Sequence, residues 1–186
     1  MRSTPPGPTV EQGVPANAIP IAGRISGVTD RFDIAEESAA EILSSPFLTP
    51  LIEYVANVTL ALIAVERRDV PAARDPYVVL KRLRDGAPSF LVSTDRVLGL
   101  LAHTMDELGD SAGHFEEALA FCRRAGFRPQ LAWTCCDYAD LLHERDDDGD
   151  REKATSLLDE SLQISSDLGM RPLMERVLSR REHLKA

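Results

Sequence analysis

Lysine, cysteine and tryptophan are scarce in this chain, and long apolar runs are missing. Only Lys81, Lys153 and Lys185 represent lysine, and 30 acidic against 21 basic residues leave a formal charge of -9. That balance has the wrong sign for neutralising phosphates, which excludes direct nucleic-acid binding as a function class. The cysteines are Cys122, Cys135 and Cys136. An odd count without paired spacing suits reduced thiols rather than a disulfide framework. No apolar run reaches the roughly 20 residues of a membrane-spanning helix. The longest, Val55 to Val65, carries Asn57 and reads as a buried helix. The N-terminus lacks the apolar core of a secretion signal, so the expected location is cytoplasmic. No Gly-x-x-x-x-Gly-Lys-Ser/Thr run offers a phosphate loop, so neither nucleotide hydrolysis nor cyclase activity is expected.

What the chain does contain is self-similarity. Leu91, Thr94, Leu101, His103, Asp106, Gly109 and Asp110 recur forty positions later as Leu131, Thr134, Leu141, His143, Asp146, Gly149 and Asp150. The turn Gly126-Phe127-Arg128-Pro129 recurs as Gly169-Met170-Arg171-Pro172. A period near forty points to stacked supersecondary units, each unable to bury its apolar face alone.

Residues 1–31 hold five prolines and four glycines with little apolar periodicity, which predicts a flexible or extended tail. Residues 32–186 predict one all-α, helical-repeat domain. Asp33 with Glu36 forms a capping-box pattern opening a helix to about Ser45. Thr49 caps a helix with Pro50 at its first position, running to about Arg67; it is apolar nearly all round and so central. Asp69 opens the next segment, in which Pro76 either kinks the helix or follows a fresh cap at Asp75. Further helices are predicted from Ser93 or Thr94 to Leu108-Gly109, from Ser111 to Ala125, and from Arg128-Pro129 to Arg145. The last two run from a cap at Asp150 to Leu168 and from Pro172 to the C-terminus. No segment alternates with period two, so no strand is predicted.

Small residues fall where two helices would touch, with a bulky residue nearby. The sets are Ala61, Ala73 and Tyr77; Ala102, Phe115 and Ala118; and Ala139, Ala154, Leu158 and Ser161. This pattern resembles tetratricopeptide repeats with altered loops, which implies antiparallel helix pairs stacked as a right-handed solenoid. Matching Ala102 to Ala139 gives a step of 37, whereas the identities give forty; the small positions decide how closely helices approach. From Leu98 to Leu184 the resemblance is more specific. Asp137-Tyr138-Ala139-Asp140-Leu141-Leu142, the Gly149-Asp150-Arg151 turn, and Ala154 through Leu168-Gly169-Met170-Arg171-Pro172-Leu173 resemble a particular domain. It is the C-terminal repeat region of bacterial LuxR-type regulators and nucleotide-cyclase-linked signalling ATPases. The resemblance implies a sensing or docking role in a signalling or transcription-regulatory system. It does not carry over the ATPase, cyclase or DNA-binding domains.

In such repeats the first helix of each pair lines a concave groove. On that basis Arg96, Gly99, His103 and Asp106 face it from one pair, and Trp133, Cys136, Asp140 and His143 from the next. Within each set the spacing of three or four keeps the residues on one helix face. Trp133, the only tryptophan, is the candidate anchor for a protein or peptide partner. Its alternative place is against the tail or the last helix. Metal and cofactor sites are not expected. His103 with Glu107, and His143 with Asp147, give two ligands each where a site needs more. The loop opening at Glu144 imitates an EF-hand start but has Thr155 at its twelfth position. Cys135-Cys136 has no base in view and reads as core. Gly23 and Gly27 read as a coincidence. The basic last helix, with Arg176, Arg180, Arg181 and Lys185, reads as a solvated face or an intramolecular partner. Two other readings stand beside the interaction module. One is a homo-oligomeric scaffold whose open repeat ends cap each other. The other is a small-molecule sensor with a pocket between the tail and the first repeat.

Overall fold

The computed structural model describes residues 10–84 and 92–184, with side chains from Asn17 onward. Every regular element among them is an α-helix. None is long and apolar enough to cross a membrane. The chain divides into two compact units, 1–88 and 89–186, where the sequence reading placed a tail at 1–31 and one domain after it.

The first unit holds α1 (Val10–Ser26), α2 (Phe32–Leu43), α3 (Pro50–Arg67) and α4 (Val70–Leu83). Helix α3 is its centre, packed by α1, α2 and α4, as its all-round apolar surface requires. Thr49 Oγ1 accepts from the Ile52 N–H at 3.3 Å, so the predicted cap forms.

The tail is not extended: residues 10–26 are helical despite Pro15 and Pro20. Tertiary contact outweighs propensity here. Ile19 packs on a cluster of Phe32, Ala35 and Ile63, and Arg24 Nη1 donates to Glu66 at 2.6 Å. Gly23 is no coincidence either. A Cβ there would come within 2.5 Å of the Phe32 ring. Gly27 turns the chain out of α1 with φ of 77°. The capping box at α2 also fails to form: Asp33 and Glu36 both accept from Arg67 at 2.6 Å instead. Pro76 neither breaks nor restarts α4, which is one helix capped by Asp69.

The second unit holds α5 (Thr94–Thr104), α6 (Leu108–Ala125), α7 (Arg128–Arg145), α8 (Asp150–Asp167) and α9 (Arg171–His183). Consecutive helices pack together, and α7 also touches α5 and α9. All the small and bulky contact positions read from the sequence are buried, Ala102, Phe115, Ala118, Ala154, Leu158 and Ser161 completely. Ser161 adds a buried hydrogen bond to the Ala132 carbonyl at 2.7 Å.

The recurring turn has recurring geometry. Gly126 and Gly169 adopt φ of 66° and 67°. The Phe127 N–H then reaches the Cys122 carbonyl at 2.9 Å, and the Met170 N–H reaches that of Ser165 at 2.8 Å. These are the six-to-one bonds of a left-handed helix terminus. Asp106 does the same job at φ of 63°, with the Glu107 N–H on the Ala102 carbonyl at 2.9 Å. Hence α5 stops at Thr104 rather than near Gly109, and α6 starts at Leu108 rather than Ser111. Asp146, forty positions on, is also left-handed at φ of 51°. Both registers are therefore physical. Ala102 precedes its left-handed aspartate by four residues and Ala139 by seven, so α7 is longer at that end.

Candidate functional site

Helices α5, α7 and α9 share a seam, and charge runs along it. Arg96 on α5 donates through Nε to Asp137 Oδ2 on α7 at 2.7 Å, and through Nη1 to Gln130 Oε1 at 3.3 Å. Both partners of the ion pair are almost wholly buried, with 6% and 2% of side-chain surface exposed. A buried pair of this kind gains little over an apolar pair but is costly to break on one side. Trp133, one turn before Asp137, lies between two guanidiniums. Arg96 sits 5.5 Å from its ring on one helix, and Arg176 of α9 sits 5.2 Å from it on another. Such cation–π contacts contribute about 0.5–2 kcal/mol each, more when desolvated.

One turn after Asp137, Asp140 accepts three hydrogen bonds from Arg180 of α9 at 3.0 to 3.2 Å. Burial pushes the Asp140 carboxyl above its ordinary value, and the Arg180 bonds offset only part of that. Burial likewise pushes the Cys136 thiol far up, and the Asp137 and Asp140 carboxylates push it the same way. The Cys135 thiol is raised too, by burial first and then by Glu160. Burial thus favours the protonated thiol at both positions.

Of the residues chosen from sequence, the seam gathers Arg96, Trp133 and Asp140, with Cys136 buried in the same helix. His103 extends the rail, with Nε2 at 2.9 Å from Glu144 Oε2, again α5 to α7. Asp106 does not join them: it is an exposed helix terminus. His143 does not join either. It lines a shallow depression with Leu142, Asp146, Arg151, His183 and Leu184. The face chosen from sequence is thus more closed than an open groove. Arg96, Trp133 and Cys136 are all under one-tenth exposed.

Sequence reasoning missed Asp137 and Glu144, while two of its alternatives hold: the basic last helix is an intramolecular partner through Arg180, and Trp133 lies against that helix through Arg176. A signal existed. Arg96–Asp137, His103–Glu144 and Asp140–Arg180 are 41, 41 and 40 positions apart. Opposite charges offset by one repeat plus one turn would have found them. A second polar cluster lies where α6, α7 and α8 meet. Tyr138 donates to Glu116 at 2.8 Å, and Lys153 donates to both. Burial opposes it, but the Lys153 and Tyr138 bonds still hold the Glu116 carboxyl below its usual value.

The acidic loop is organised by its own arginine. Arg145 grips Asp150 with two bonds of 2.8 and 2.6 Å, and Asp150 also accepts from the Asp147 N–H. Asp150 is the first residue of α8 rather than its cap, which is Gly149. Among the described residues no three His, Cys, Asp or Glu side chains gather as a metal-ligand set. No family model matches the chain, and no curated protein or solved structure matches it.

Proposed function

We propose that the chain is a non-enzymatic interaction or sensing module, built from tetratricopeptide-like antiparallel pairs stacked as a right-handed solenoid. Its partner is a protein or peptide, and its dock is the seam face of α5 and α7. One observation carries this reading. The same helix terminus recurs at Gly126 and Gly169 with matching bonds, and the contact positions expected of such pairs are buried in each. Thiols raised by burial and carboxylates already paired with arginines support a binding role over chemistry. Three buried free cysteines fit work in the cytoplasm. A place in a bacterial signalling or transcription-regulatory system follows from the resemblance stated above.

The test is affinity capture followed by calorimetry of each captured protein against wild type and His103→Ala. A saturable complex weakened about tenfold or more by the substitution, with unchanged melting, supports the reading. Complexes indifferent to His103 and to every other exposed seam position contradict it. So does the absence of any saturable complex.

A further inference from the structure

Helix α9 is fastened to the second unit differently from its neighbours. Only Leu173 and Val177 of α9 are buried, whereas α8 buries seven residues and α7 eleven. Leu178 is 48% exposed. The remaining fastenings are polar. Arg180 holds Asp140, and Arg181 holds Asp159 of α8 at 3.1 Å, with every partner in these pairs at least 33% exposed. Partly exposed pairs of this type contribute little each and are screened by salt. A short link containing left-handed Gly169 joins α9 to α8.

The charge is complementary. Helix α9 carries Arg171, Arg176, Arg180 and Arg181 against Glu175 and Glu182, while the chain as a whole stands at -9. Beneath it lie the carboxylates of Asp140 on α7 and Asp159 on α8, together with Trp133. Arg176 thus covers the residue best suited to anchor a partner.

We propose that the surface of α7 and α8 beneath α9 is a docking site for a basic amphipathic helix of a partner protein, and that α9 is its built-in occupant. The helix it fits repeats the pattern of Leu173, Arg176, Val177 and Arg180: apolar at i and i+4, arginine at i+3 and i+7. The partner exchanges with α9, meeting Asp140 and Asp159 with its arginines and Trp133 with a guanidinium face. This surface shares α7 and Trp133 with the proposed dock and extends it onto α8, and the proposal rests on that reading.

The experiment uses the full chain and a defined probe, a synthetic peptide of residues 170–184. Trp133 is the sole tryptophan, so its emission reports the site. In an Arg180→Glu, Arg181→Glu chain, Trp133 emission moves to the red while far-UV helicity falls by no more than α9 supplies. The peptide then restores the emission with saturation. It binds wild type about tenfold or more weakly, because the closed α9 lowers the competent fraction. A peptide carrying Arg180→Glu and Arg181→Glu does not bind. Should the double variant unfold, a salt titration of wild type decides: the red shift precedes the loss of helicity. Emission that moves only with global unfolding overturns the proposal, as does a peptide that fails to bind the released chain. Concentration-dependent doubling of mass in wild type assigns the surface to a second copy exchanging α9, and overturns the partner helix. A failed titration leaves the outside-partner calorimetry standing, so the two failures are distinguishable.

Discussion

Arg96 lies over Trp133, its guanidinium carbon 5.5 Å from the indole ring centre. The two residues stand 37 positions apart, the step that aligns Ala102 with Ala139. They therefore hold equivalent places on α5 and α7 and meet across the seam. With Arg176 of α9 also 5.2 Å from its ring, Trp133 is part of what joins α5, α7 and α9. It is a structural residue first, and the seam can serve a partner only through the parts α9 leaves open or gives up.

Trp133→Ala should cost about 3–5 kcal/mol, because a side chain only 8% exposed is removed from among packed neighbours. Trp133→Phe should retain most of that stability and lose about 0.5–2 kcal/mol of cation–π interaction. Chemical denaturation of both variants measures the pair. A Trp133→Ala chain as stable as wild type would mean that the indole is not packed.

Arg96→Ala should destabilise by about 3–5 kcal/mol, since it strips a buried Asp137 carboxylate of its guanidinium. Arg96→Met combined with Asp137→Leu should recover most of the loss. A double-mutant cycle by urea denaturation reads the coupling. Additive losses in the double variant would show that the two side chains do not act as a pair.

Much of the fold was legible because its signals are local and periodic. Thr49 before Pro50 and glycine at 126 and 169 each act within a turn of where they stand, and alanine at 61, 102 and 139 recurs at small positions that the period exposes. The misreadings share a cause. Prolines 15 and 20 suggest a tail, yet α1 is held by Phe32 and Ile63 from elsewhere in the chain. Asp33 and Glu36 have the spacing of a capping box, but Arg67, some thirty positions on, takes both carboxylates. Glycine marks a helix stop so strongly that Gly109 masks Asp106, three residues earlier, as the left-handed end of α5. At the candidate site the residue types were legible, and the last helix was among the alternatives as an intramolecular partner. The individual pairs Arg96–Asp137 and Asp140–Arg180 were not legible, because each joins helices about forty positions apart.

Helix termini offer a paired test. Gly126→Ala places a Cβ at φ of 66° and should cost about 1–2 kcal/mol. Asp106→Gly relieves the same strain at φ of 63° and should stabilise by up to about 1 kcal/mol. Thermal melting of both variants checks the signs. Equal effects in one direction would contradict the assignment of Asp106 as the end of α5.

The Arg145 bonds hold the Asp150 carboxyl below the usual carboxylate range. A depressed folded value gives stability that is present above the unfolded pKa and is lost as pH falls through the folded one. The melting difference between wild type and Asp150→Asn should therefore be full at neutral pH. It should close as pH falls below about 4, the value of a free aspartate. A difference that persists unchanged into strong acid would show that the charge is not what Arg145 holds.

The most direct test of the central claim is amide hydrogen exchange of the chain alone and saturated with a captured protein partner. The account predicts slower exchange gathered on 94–104 and 128–145, the two first helices of the seam, together with faster exchange on 171–183 as α9 gives way. Protection confined to α6, or to α1 through α4, would contradict it.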